Sequence, residues 1–169
     1  MTTPTAKPLS ETLSTGRKTF LHTMFTTAME GGIGYWSECS SYRWIKPEFA
    51  DARGYDESHA DIDDFRAIIV PSEDEGCWGV WVGNRDVAPL TIDLTVMQRG
   101  AQRFLLYCHG MVDSQGNPVP PCEQKPLRDD HYWRQWLVQE ATNGAEGDSD
   151  AEVADQIVQW GLFGKGVYG

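Results

Sequence analysis

Seven residues of this chain, Glu30-Gly31-Gly32-Ile33-Gly34-Tyr35-Trp36, constrain its fold more than any other stretch. Three glycines stand between an apolar run and two large aromatics. A stretch of this kind either cradles a phosphate or converts one backbone conformation into another. A phosphate cradle runs strand, glycine loop, helix, because the anion meets the free N–H groups and positive dipole end of the helix that follows. Here the order is reversed. Phe20, Leu21, Met24, Phe25, Ala28 and Met29 recur at helical spacing before the glycines, and an extended pattern comes after them. The C-terminal end of a helix repels anions. The stretch is therefore expected to close a helix, with Gly31 or Gly32 in the left-handed conformation. Gly34 would then open a strand where another backbone packs close.

The remaining chain punctuates itself in the same way. Residues 1–13 hold two prolines and little apolar content and read as a flexible N-terminal arm, leaving 14–169 as a single domain. Ser14 or Thr15 can cap the first long helix. Residues 35–45 alternate as a strand, with Trp36, Tyr42 and Trp44 on one face and Cys39, Ser41 and Arg43 on the other. A second strand is expected over residues 65–70, closed by Pro71, and a third over residues 77–82. Residues 87–92 form a short extended piece before a helix capped by Asp93, with Met97, Gly100, Ala101, Phe104 and Leu105 as its stripe. Residues 110–126, rich in proline, are a surface loop. Asp129 or Asp130 can cap a further helix bearing Trp133, Trp136, Leu137 and Ala141. Ser149-Asp150-Ala151-Glu152 fits a capping box in front of a last helix with Val153, Ile157 and Trp160, and the ending LFGKGVYG reads as a final extended piece. Helix, then strands, then helices predicts an α+β fold: a small, largely antiparallel sheet of three to four strands covered by about four helices.

Composition narrows function more than it defines it. The formal charge is −11, from 14 basic and 25 acidic residues. This opposes direct nucleic-acid binding, which needs a basic face. It leaves open a basic partner, including a DNA-binding protein occupied by a DNA-like acidic surface. No apolar run approaches the roughly 20 residues needed to cross a bilayer. The polar start MTTPTAKPLSETLSTG has no signal-peptide core, so a cytoplasmic chain with reduced Cys39, Cys77, Cys108 and Cys122 is expected. The cysteine spacing lacks a C-x-x-C pair, and Cys108-His109 is a poor chelate, so neither a metal nor a cofactor is expected.

Two groups of residues are candidate sites. Asp56, Glu57, Asp61, Asp63 and Asp64 form the densest acidic stretch and are the candidate partner-binding surface. With His59 among them, the same acids raise the alternative of a metal-dependent hydrolase, although the calcium-loop spacing is missing and a solvated loop is favoured. Trp36, Tyr42, Arg43 and Trp44 raise a second alternative, a nucleotide or small-ligand pocket in which aromatics stack a base. The competing reading, that this face is core, is preferred because the amphipathic helix needs an apolar surface to cover. A thiol nucleophile at Cys39 with His22 or His131 has no local support, and no catalytic residue is assigned.

Glu30-Gly31-Gly32-Ile33-Gly34-Tyr35-Trp36 after an amphipathic helix, Asp150-Ala151 with Ala154-Asp155, and the ending IVQWGLFGKGVYG together resemble a family of small bacteriophage proteins, chiefly from phages of actinobacteria. The resemblance covers both ends of the chain and leaves residues 47–126 unmatched. It carries no activity and no catalytic residues. It implies a phage-encoded protein acting in the host cytoplasm, and small accessory proteins of this kind often bind and redirect a host factor. The leading expectation is thus a non-enzymatic accessory protein that modulates a host protein, such as a defence or DNA-associated factor.

Overall fold

The computed structural model describes residues 8–43, 62–71, 88–127, 131–148 and 150–168. Helix α1 (Leu9–Thr12) is a single turn within the stretch expected as an arm, and Leu13 after it packs against the core. Helix α2 (Thr15–Thr27) starts at Ser14, whose side chain accepts a hydrogen bond from the Arg17 N–H. That bond satisfies one of the donors a helix start leaves open. Phe20, Leu21, Met24 and Phe25 are buried along one side. On the other side, exposed Thr19 and Thr23 each return a hydroxyl to the carbonyl four residues back.

The glycines behave differently from the expectation. The helix does not stop but widens into a π turn (Ala28–Gly32) and then tightens into a 3₁₀ turn (Ile33–Tyr35). Gly32 has φ −99° and ψ −61°, and neither it nor Gly31 lies in the left-handed region. What demands glycine is close approach. A Cβ on Gly32 would stand 2.7 Å from the Ala151 carbonyl oxygen and 3.2 Å from the Asp155 Cβ. The contact comes from helix α5 (Ala151–Phe163), distant in sequence.

Strand β1 (Ser37–Arg43) pairs antiparallel with β2 (Arg66–Pro71), which pairs antiparallel with β3 (Leu90–Asp93), giving the order β1-β2-β3. The α+β expectation therefore holds, with an antiparallel three-stranded sheet among the described residues. The β3 strand falls in the short extended piece before the Asp93 cap, whereas the strand expected over residues 77–82 lies outside the described residues. Alternation in β2 is clean: Ala67, Ile69 and Pro71 point inward. In β1 it fails. A bulge between Cys39 and Ser41 shifts the register and leaves residues 38–41 exposed in succession. An extra residue resets side-chain parity, so Trp36 and Tyr42 do not belong to one strand face; Trp36 precedes the strand altogether. Trp44 lies outside the described residues.

Asp93 caps helix α3 (Leu94–Cys108) by accepting from the Val96 N–H at 2.9 Å. Helix α4 (His131–Thr142) follows the proline-rich loop; Asp129 and Asp130, named as its caps, lie outside the described residues. At α5 the expected Ser-Glu capping box gives way to Asp150, which accepts from the N–H groups of Glu152 and Val153; Ser149 is also outside the described residues. Helices α3 and α5 cross at Gly100 and Gly161, where a Cβ on either would overlap backbone of the other helix. The helices α2, α3 and α5 share one core with the inward residues of the sheet, including Ala67, Ile69 and Ile92. After α5 the chain turns at Gly164, φ 75°, and residues 165–168 form no strand, so the expected extended ending is an irregular tail packed on the core.

Candidate functional site

The two groups of sequence candidates are not joined into one site. Of the acidic stretch, Asp56, Glu57 and Asp61 lie outside the described residues. Asp63 meets the Lys18 ammonium at 2.6 Å, and Asp64 meets the Arg43 guanidinium at 2.9 Å. Each is thus opposed by a cation at the edge of the α2–sheet layer. The Asp64 pair also offsets the Arg43–Arg66 juxtaposition in the β1–β2 register. Of the aromatic candidates, Tyr42 is half-buried against Phe25, with ring centroids 5.6 Å apart, while Trp36 is fully buried. The Cys39 thiol donates to the Ser41 carbonyl, and burial pushes its pKa up, the opposite of what an activated nucleophile needs. His22 packs edge-on to Phe65, and burial pushes its pKa down.

The most concentrated chemistry lies around Asp155, which sequence reasoning did not single out as a site. It sits on α5 and is 3% exposed. The Trp36 indole N–H donates to its Oδ1 at 2.7 Å, and the Tyr35 hydroxyl donates to its Oδ2 at 2.9 Å. Gln159, one turn further along α5, donates from Nε2 to the same Oδ2 at 2.7 Å. Burial raises the Asp155 pKa above the ordinary carboxylate value, while the hydrogen bonds from Trp36, Tyr35 and Gln159 pull it down and the Glu152 charge adds a smaller rise.

Gln159 is itself fully buried and carries the arrangement outward. Its Oε1 accepts from the backbone N–H groups of Val167 and Tyr168, both at 2.7 Å, and its Nε2 donates to the Tyr168 carbonyl at 3.0 Å. The Tyr168 ring then stacks on Trp36 with centroids 4.6 Å apart and planes at 13°. Phe163 closes the side of this pair edge-on. Three segments far apart in sequence, residues 30–36, residues 150–155 and the C-terminal ending, meet at this one junction. The signal available beforehand was the pair Asp155 and Gln159, four apart in a helix whose residues are otherwise largely apolar: a helix buried nearly all round can keep polar side chains only where they are paired.

Chemically, the junction offers an acceptor-rich carboxylate fully engaged by donors, and it serves as a fastener between the glycine turn, α5 and the tail. Among the described residues no group of three or more His, Cys, Asp or Glu side chains is placed to hold a metal ion. Nor is any helix among them long and apolar enough to cross a membrane. Comparison with known protein families, with curated proteins and with solved structures returns no match.

Proposed function

We propose that the chain is a non-enzymatic, phage-encoded accessory protein that acts in the host cytoplasm by binding and modulating a host protein with a basic face, such as a defence or DNA-associated factor. The observation that carries this reading is the excess of 25 acidic over 14 basic residues, a net charge of −11. A charge of that size steers a basic partner toward the surface and orients it there. Asp155 and Gln159 join structural elements, and buried Arg17 is tied to Gln98 and Glu140, so these buried polar groups are accounted for by packing.

Asp63 and Asp64 are each paired with a cation of this chain, so the test takes the other acids of the candidate surface, Asp56, Glu57 and Asp61, separately. The test is capture of the host partner by full-length protein carrying Asp56→Asn, Glu57→Gln and Asp61→Asn. Capture should weaken, and the parent complex should itself weaken as salt is raised. Of the paired acids, Asp64→Asn should cost no more than about 1 kcal/mol of stability, the usual limit for an exposed ion pair, and Asp63→Asn should cost more, because Lys18 is largely buried. Undiminished capture by the triple variant would remove the acidic surface from the account.

A further inference from the structure

Residues 164–168 hold to the body of the protein in an uncommon way. A segment of this kind is poorly ordered unless something ties it down. Here the Val167 N–H, the Tyr168 N–H and the Tyr168 carbonyl all bond to the single side-chain amide of Gln159. A glutamine amide presents one acceptor oxygen and two donor hydrogens. Gln159 uses the oxygen twice on the tail, and its nitrogen bonds both the Tyr168 carbonyl and Asp155. The apolar attachment is Tyr168, stacked on Trp36 and edge-on to Phe163, with Val167 packed against the same core. At the near end, Gly164 has φ 75°, a left-handed turn that costs glycine little, and Gly166 follows two residues later. Lys165 between them reaches Gln115 through an exposed hydrogen bond.

We propose that residues 164–168 are a hinged strap, latched at Gln159 and Trp36, that opens as a unit while the α3–α5 core stays folded. Local opening of this kind belongs to segments held by few contacts, and its free energy lies below that of global unfolding. When the strap lifts, it uncovers Trp36, the Gln159 amide and the edge of Asp155. That surface reads two N–H groups, one carbonyl and an aromatic ring, so it fits an extended peptide segment carrying an aromatic residue. The last point rests on the partner-binding reading; the opening itself does not.

The test is native-state hydrogen exchange on the full-length protein, resolved at the Val167 and Tyr168 amides and at the amides of residues 157–160 in α5. In the parent, the two strap amides should be protected relative to a free peptide, yet exchange faster than those of α5. Gln159→Leu removes the acceptor of both amides and should speed their exchange roughly ten- to hundredfold, with α5 amides affected far less. Tyr168→Ala is the second variant, in case loss of the buried amide impairs folding. It removes the stack but leaves the Gln159 bonds, and it should also speed strap exchange selectively. Strap and α5 amides exchanging in step in the parent would overturn the proposal, because the strap would then open only with the whole fold. Exchange at the free-peptide rate would overturn it too, because nothing would then be latched.

Discussion

Two tryptophans with no exposed surface, Trp36 and Trp136, are held in opposite ways. Trp136 sits in an aromatic layer, stacked on Phe20 at 5.8 Å and tilted against Phe104 at 5.9 Å. Among the described residues its indole N–H finds no acceptor. Trp36 has aromatic neighbours as well, Tyr168 and Phe163, but its N–H is bound by the Asp155 carboxylate. The first site is packing alone. The second is packing with a direction, because a hydrogen bond to a charged group fixes one orientation and is strong where water is excluded. The difference explains how a short tail and a glycine turn are kept in register with α5.

The largest expected effect is from Trp36→Ala, which empties the junction and also leaves Asp155 short of a donor. Denaturant unfolding should show a loss of about 3–5 kcal/mol, the usual range for a truncated buried aromatic. A single domain commonly has only about 5–15 kcal/mol in total, so this variant should melt far below the parent. Next comes the helix approach that builds the junction. Gly32→Ala drives a methyl into the Ala151 carbonyl and should cost about 1–3 kcal/mol by overpacking. Gly31→Ala meets only the Ala151 Cβ, at 3.3 Å, and should cost less. Equal losses at the two positions would mean that close approach of α5 is not what selects glycine here.

A smaller effect is tied to pH. The folded pKa of Asp155 lies above its unfolded value near 4, so the folded state holds that proton more tightly. Stability from this group is therefore fully present below the unfolded pKa and is lost as pH rises through the folded one. The charged group beside it is Glu152 on α5, and Trp36, the Tyr35 hydroxyl and Gln159 are neutral donors. Measured as parent minus Asp155→Asn, the stability difference should fall as pH rises from about 4 and then level off. A difference that rises with pH would show that the hydrogen bonds, not burial, dominate the carboxylate.

Much of the outer frame was legible in the sequence. Ser14 and Asp93 cap the helices expected of them, the α2 stripe is buried, and β2 alternates up to Pro71. These features depend on neighbours within one or two turns of chain, which periodicity and capping rules capture. The junction depends on residues well over a hundred positions apart. Gly32 is glycine because of Ala151, which no local rule can see. The bulge between Cys39 and Ser41 broke the parity from which Trp36 and Tyr42 were grouped. Asp155 and Gln159 stand out as a polar pair in a largely apolar helix, but their partners are set by the tail and the glycine turn, which no local pattern names.

The central claim is that the Asp155 bond gives Trp36 a role that Trp136 does not have. The most direct measurement is equilibrium unfolding of Trp36→Phe and Trp136→Phe side by side. Both changes remove similar volume and leave an aromatic ring, so the packing losses largely offset each other in the comparison. Trp36→Phe also takes a donor from a buried carboxylate, whereas Trp136→Phe deletes an N–H with no acceptor among the described residues. The account predicts that Trp36→Phe is the more destabilising by about 1.5–3 kcal/mol, the range for hydrogen bonds to charged groups. Equal losses, or a larger loss at Trp136, would contradict it.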